Sequence, residues 1–366
     1  EMAAFCEEGI GDRRVVQMHL GGGTPTFLQP DEIRRLGSIL HRHFGDAPGC
    51  EAGVEVDPRG LTREHVTALW EAGFNRASMG VQDNNPKVQE AVHRIQPMEI
   101  TRASVEWLRE TGFHSVNIDL IYGLPHQTEA SFEKTLDEII RLSPNRLAVF
   151  SYAHVPWIKP AQKILEQKNL PTPETKLNLL KLIIEKLTAE GYVYIGMDHF
   201  ARPDDELAVA QSEKTLQRNF QGYSTHGGAD IHAFGMSSVS QIPDAYWQNI
   251  KELDGYRRAV DDGVMPVAKA CLVSDAEKQT RTVITRLMCD LSLDYDDLSA
   301  RLGIDFREAF AGVIEGLRDM ADDGLVRLDA SGLAVTDAGR LFIRNIAMRF
   351  DPAIEFSDTP RYSKTI

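Results

Sequence analysis

Three consecutive glycines followed by Thr-Pro-Thr, in "HLGGGTPTFLQP" (19–30), are hard to explain by folding alone. An apolar run at 15–20 stops at them, and a helical pattern starts at 30. Glycine loses more chain entropy on ordering than any other residue. Three in a row therefore imply a backbone that approaches a ligand and offers its own N–H and C=O groups. No Gly-Lys-Ser/Thr follows, which excludes a phosphate loop, and the spacing is not that of a dinucleotide fingerprint. Further along, Glu55, Gln82, Asp119 and the pair Tyr152-Ala153 each interrupt an otherwise strand-like run near its C-terminal end. A parallel strand covered on both faces should read as continuous Val, Ile and Leu, and an unpaired buried carboxylate is costly. Polar groups at equivalent depths in five strands therefore predict one shared polar site. A ligand with amino and carboxylate ends suits bare main chain better than a phosphate does.

The elements that must position these residues alternate along the chain. Strand-like runs at 15–20, 52–57, 76–82, 115–123 and 146–153 are each followed by helical patterns, at 30–44, 62–73, 85–94 with 99–112, 128–142 and 173–191. Short β-branched runs, each followed by a helix, predict a parallel sheet built from right-handed crossovers. In such sheets the ligand sits at the C-terminal ends of the strands. Thr62 and Thr128 read as N-caps, and Gly73, Gly112 and Gly191 as C-terminal stops. Past residue 250 the pattern turns helical, at 274–290, 292–303 and 306–324, then a hairpin at 325–336 with Ser331-Gly332 at its turn, then a helix at 337–347. This order resembles a winged helix. Glu308, Glu315, Asp319, Asp322 and Asp323 would repel phosphates on its recognition segment, so a packing domain is expected. The expected domains are 1–250 and 251–366.

Composition narrows the classes. The net charge of -14 argues against nucleic acid. No apolar run approaches the ~20 residues of a membrane helix. Cys6, Cys50, Cys271 and Cys289 are too scattered for a zinc or disulfide framework, which suits the reducing cytoplasm. His226 and His232 have no third ligand at metal spacing, so no metal site is expected among them. The start, "EMAAFCEEGI", has neither the basic opening nor the long apolar core of a signal peptide, and reads as the start of a trimmed chain.

With these residues in view, the chain resembles the oxygen-independent coproporphyrinogen III oxidases, radical S-adenosylmethionine enzymes of haem biosynthesis. The resemblance is carried by "HLGGGTPTFL" (19–28), "EVDPR" (55–59), "MGVQD" (79–83), "VNIDLIYGLPHQT" (116–128), "SYAHVPWIKPAQ" (151–162), "GMDHFARPDDELAVAQ" (196–211) and "RNFQGYSTHGGADI" (218–231). It implies an α/β fold, a partial (β/α)6 TIM-like barrel without its first strand, plus a mainly helical C-terminal domain with a small hairpin. It also implies a 4Fe-4S cluster and two S-adenosylmethionine molecules. Gly22, Glu55, Ala153 and Val239 would contact the cluster-bound molecule, with Val239 standing where the family has isoleucine. Gly23, Thr24, Gln82, Arg94 and Asp119 would contact the second.

The family's Cys-x3-Cys-x2-Cys loop is not matched within the 366 residues, so the cluster's ligands are expected outside this chain, and the chain as given is expected to be inactive. The activity implied for the intact enzyme is oxidative decarboxylation of two propionates of coproporphyrinogen III to vinyls, by a 5′-deoxyadenosyl radical. A protein electron donor is implied as partner, in a monomer. A haem chaperone on the same fold, or another haem- or porphyrin-processing radical SAM protein, is the alternative. Arg202, Arg218, Lys159 and His199 are candidates for the substrate's carboxylates by location, and no catalytic residue is assigned. With the first strand missing, 15–20 should form an unpaired sheet edge.

Overall fold

The computed structural model describes residues 1–7, 14–45 and 49–354. These form two compact units, one of Val16–Leu40 and Pro48–Glu213, the other of Glu1–Val15, His41–Ala47 and Lys214–Ile354. The division falls after Glu213, whereas the sequence changes character near residue 250. The stretch between carries short antiparallel strands instead of strand–helix alternation.

The first unit is built on a seven-stranded sheet in the order β1-β2-β3-β4-β5-β7-β6. Strands β1 (Gln17–Leu20), β2 (Glu51–Val56), β3 (Arg76–Gln82), β4 (Ser115–Tyr122) and β5 (Arg146–Ser151) are parallel neighbours, as the alternating pattern predicts. The helices between them start and stop at the expected signals. Thr62 accepts from the His65 N–H, Thr128 closes a capping box with Ser131, and Gly73, Gly112 and Gly191 take left-handed φ after their helices. Beyond β5 the pattern breaks. The chain returns as a hairpin, β6 (Val193–Gly196) and β7 (His199–Ala201), and β7 inserts antiparallel beside β5. The terminal strand β6 is nearly buried, and its Ile195 carbonyl is capped by the Gln211 side-chain amide. At the opposite end β1 pairs with β2 alone among the described residues.

The expectation that both faces are covered needs correcting. One face is apolar, with Val54, Met79, Ile118, Leu120 and Leu147 at 1 % exposure or less. The alternate residues, Glu55, Ser78, Gly80, Asn117 and Asp119, remain partly accessible. The polar interruptions are therefore one face of a half-open sheet, lined every second residue as strand geometry requires.

In the second unit, a short antiparallel pair, β8 (Gln217–Arg218) and β9 (Tyr223–Ser224), comes first. Strands β10 (Val239–Ile242), β11 (Ala245–Asn249) and β12 (Val267–Leu272) then form an antiparallel meander that the sequence did not reveal, because β12 is exposed along its whole length. The helix at Asp275–Asp290 is as expected, but the next pattern opens with a strand, β13 (Ser292–Asp294), which pairs with β15 (Gly332–Val335). The expected helix 306–324 is three short helices, Phe306–Ala309, Ala311–Glu315 and Arg318–Asp322, with Gly316 at the second break. The hairpin turn is built by Asp329, whose Oδ1 accepts the N–H groups of Ser331 and Gly332.

Candidate functional site

The glycines have separate reasons to be glycine. A Cβ on Gly21 would lie 2.7 Å from His19 Nε2 and 3.0 Å from the Glu55 carboxylate, so a side chain there would push the ends of those two side chains aside. Gly22 and Gly23 adopt φ of 78° and 65°, and a Cβ on either would meet nothing within 4 Å. Their backbones are turned to accessible space in a conformation that glycine adopts without strain. The Gly22 N–H donates to Glu55 Oε2 at 3.3 Å, and His19 Nε2 lies 3.4 Å from Glu55 Oε1. The His19 hydrogen bond holds the Glu55 carboxyl below its usual range, against the opposing effect of burial. His19 stands inside the quoted glycine stretch, yet its type alone did not mark it.

A second cluster gathers around Gly80. The Arg94 guanidinium donates to the Gly80 carbonyl at 2.7 Å and reaches Asp57 Oδ1 at 3.4 Å. A Cβ on Gly80 would be 2.6 Å from Gln82 Nε2 and 3.5 Å from Arg94 Nη2, and Gly80 is the register partner of Asp119. Gln82, Arg94 and Asp119, far apart in sequence, thus meet at one backbone position. Gln82 itself has φ of 69°, at a register shift between Gly80 and Gln82. A non-glycine residue there costs on the order of 1 kcal/mol or more and persists only where its surroundings hold it. Those surroundings centre on the neighbouring Asp83, which is 1 % exposed. Its carboxylate accepts from the Asn85 N–H at 2.7 Å, Thr135 Oγ1 at 2.8 Å and Gln127 Nε2 at 2.6 Å. Gln89 donates to the Asp83 carbonyl at 2.9 Å and to the Gln96 carbonyl at 2.8 Å, and so fixes both ends of the segment bearing Arg94. Burial pushes the Asp83 carboxyl up, and these donors oppose it.

Asp119 is held from the side. Ser78 Oγ donates to Oδ2 at 3.0 Å, Asn117 Nδ2 donates to Oδ1 at 2.6 Å, and Asn117 also reaches Ser78 Oγ at 2.8 Å. Burial raises the Asp119 carboxyl to about 6, with the negative Glu55 adding to it, although the two hydrogen bonds favour the ionised form. Asp57 behaves oppositely. Burial would raise it, but a two-pronged Arg59 guanidinium and the charge of Arg94 hold it low. Ser78 and Asn117 were missed in the sequence because small polar residues on a strand carry no motif of their own, and Asp57, just past β2, stood unmarked inside "EVDPR".

Of the remaining expected residues, Thr24 is exposed directly after the glycines, and its carbonyl accepts from the Phe27 N–H at 2.9 Å. Ala153 lies past β5, where its carbonyl accepts from Gln162 Nε2 at 3.1 Å. Val239 belongs to the other unit, on β10, paired with Gln248.

The residues fit a polar, charged ligand such as S-adenosylmethionine. Gln82 Oε1 and Arg94 Nε are buried with no hydrogen-bond partner among the described residues, and the Gly22–Gly23 backbone faces open space. Such orphaned buried groups call for a partner. The 4Fe-4S cluster is different. Among the described residues no group of three or more His, Cys, Asp or Glu side chains is arranged to hold a metal, so no step through the cluster is derived from them.

Comparison with known proteins places the chain in a family. The Radical SAM superfamily model matches residues 1–139, and the HemN C-terminal domain model matches 273–342. The chain is 46% identical over 354 residues to the oxygen-independent coproporphyrinogen III oxidase of Pseudomonas aeruginosa, covering 96% of this chain and 77% of that protein. Against the enzyme of the same name from Escherichia coli the identity is 47% over 339 residues, covering 93% and 74%. The solved structure described as coproporphyrinogen III oxidase (HemN) from Escherichia coli, a radical SAM enzyme, superposes with a TM-score of 0.90 at 46% identity, covering 93% of this chain and 79% of that one. The chain belongs to the oxygen-independent coproporphyrinogen III oxidases, radical S-adenosylmethionine enzymes of haem biosynthesis that work with a 4Fe-4S cluster.

Proposed function

We propose that this chain carries the cofactor-binding rim of an enzyme that converts two propionates of coproporphyrinogen III to vinyls, giving protoporphyrinogen IX. At each propionate a β-hydrogen atom, carbon dioxide and one electron leave, so R–CH2–CH2–CO2− becomes R–CH=CH2. When bound, S-adenosylmethionine with the cluster supplies the hydrogen-abstracting chemistry, and the protein positions and orients it. On this reading Gly22, Glu55 and Ala153 hold the cluster-bound molecule, with Val239 carried over from the resemblance alone. Glu55, kept ionised by His19, receives the ammonium group. Gly23, Thr24, Gln82, Arg94 and Asp119 hold a second molecule, with Arg94 on its carboxylate and Asp119 on its positive end. A protein electron donor, a monomeric state and a cytoplasmic location complete the proposal. No helix among the described residues is long and apolar enough to cross a membrane.

The observation that carries this reading is the convergence of Gln82, Arg94 and Asp119 on Gly80, at the same end of the sheet as two bare glycines. It has a direct test. A cation arriving beside Asp119, poised at about 6, lowers its pKa, so S-adenosylmethionine binding near pH 6 should release up to about half a proton. Calorimetry in two buffers of different ionisation heat measures that release, which D119N should abolish. Binding without proton release, and with unchanged affinity in D119N, would remove Asp119 from the site.

A further inference from the structure

The chain leaving β5 does not run straight to the next helix. It forms a closed loop that one side chain, Gln162, ties at both ends. Gln162 Oε1 accepts from the Val155 N–H at 2.7 Å, and its Nε2 donates to the Ala153 carbonyl at 3.1 Å. His154 Nε2 to Glu166 Oε1, at 3.0 Å, adds an outer tie, and the Val155 carbonyl accepts the N–H groups of Ile158 and Lys159 at 2.9 Å each. The following residues pin this segment along the C-terminal rim of the sheet. Lys168 Nζ donates to the Ala91 carbonyl at 2.9 Å beyond β3, and the Asn169 carbonyl accepts the His126 N–H at 3.2 Å beyond β4.

A loop so constrained would be expected to turn its apolar side chains inward. This one presents Trp157, Ile158 and Ile164 to solvent, at 47%, 61% and 60% exposure. Between and beside them stand Lys159 and Lys163, both exposed, which form no ion pair among the described residues. Three large apolar side chains exposed close together in the sequence of one tied loop give it apolar area available for contact. Free lysines among them specify a ligand that is apolar in body and anionic at its edges. A tetrapyrrole bearing propionates has that chemistry, and the loop starts at Ala153, on the proposed cofactor rim.

We propose that the loop 154–166 is the substrate-docking element of this site: Trp157, Ile158 and Ile164 cover pyrrole rings, and Lys159 and Lys163 pair with propionate carboxylates. The proposal rests on the reading of the rim as the cofactor site, and its test separates the two. In the intact protein, binding of coproporphyrin III is followed by porphyrin fluorescence, and S-adenosylmethionine binding by calorimetry, for wild type, K159E/K163E and W157S/I158S. All four substituted side chains are exposed, so folding should survive, as circular dichroism verifies.

Each double variant should weaken porphyrin binding about tenfold or more and leave S-adenosylmethionine affinity unchanged. The lysine variant should also flatten the salt dependence of porphyrin binding. Porphyrin affinity within about twofold of wild type in both variants overturns the docking role. So does a W157S/I158S variant that loses co-sedimentation with phosphatidylglycerol vesicles while binding porphyrin normally, since the loop would then serve a lipid surface. Failure of the rim reading shows differently, as unchanged S-adenosylmethionine binding in D119N, with the loop variants still impaired for porphyrin.

Discussion

Along β2, β3 and β4, alternate residues such as Val54, Met79 and Ile118 are closed off from solvent, while Glu55, Ser78 and Asp119 between them meet across the strands. Both sets come from the same strands, one residue apart, because successive side chains point to opposite faces. The buried set can exchange one aliphatic residue for another of similar volume at modest cost. The polar set cannot, because each member is tied to named partners, as Asp119 is to Ser78 and Asn117. Scaffold and chemistry therefore share every strand yet should respond separately to substitution.

That separation can be broken in graded ways. The largest expected effect is on the apolar face. Leu120→Ala, at a position with 0% exposure, should lower stability by about 2–5 kcal/mol in denaturant unfolding while leaving S-adenosylmethionine affinity of the folded protein intact. A loss of affinity as large as the loss of stability would show that the faces are coupled.

Next comes Asp119, one residue away on the polar face. Its folded-state value of about 6 lies above the ordinary aspartate value near 3.9. The folded state therefore holds the proton longer. The stability associated with that proton is fully present below about pH 4 and is lost as pH rises through about 6, on the order of 3 kcal/mol in all. Unfolding free energies between pH 4 and 7 should fall by more in wild type than in D119N, and parallel curves would refute the assignment.

The smallest effect is at Gln82. Gln82→Gly relieves the left-handed backbone and should gain about 1 kcal/mol of stability while weakening S-adenosylmethionine binding. A variant that loses stability would place the strain elsewhere.

Much of this was legible in the sequence, for identifiable reasons. The five parallel strands follow from apolar runs with helices between them, and Gly22, Gly23, Glu55, Gln82 and Asp119 stood out as residues the fold does not need. Arg94 came from the resemblance, and only the structure shows it bonded to Gly80. Residues that act through cross-strand neighbours were not legible. Ser78 and Asn117 are ordinary strand positions until register places both against Asp119. Asp83 looks like a loop residue in "MGVQD", and only its three donors reveal an anchor for the strained Gln82. The β6–β7 hairpin was hidden because strand order is a long-range property. The β10–β12 meander was hidden because an exposed strand carries no burial pattern.

The two edges of the seven-stranded sheet differ in exposure. The terminal strand β6 is nearly buried and has its Ile195 carbonyl taken by Gln211, so among the described residues the more accessible edge of this sheet is Gln17–Leu20, next to the glycines. Whatever is added there would lie one strand-width, about 4.8 Å, from the strand that leads into the glycines. Lateral extension at that edge would share one margin with the proposed cofactor site.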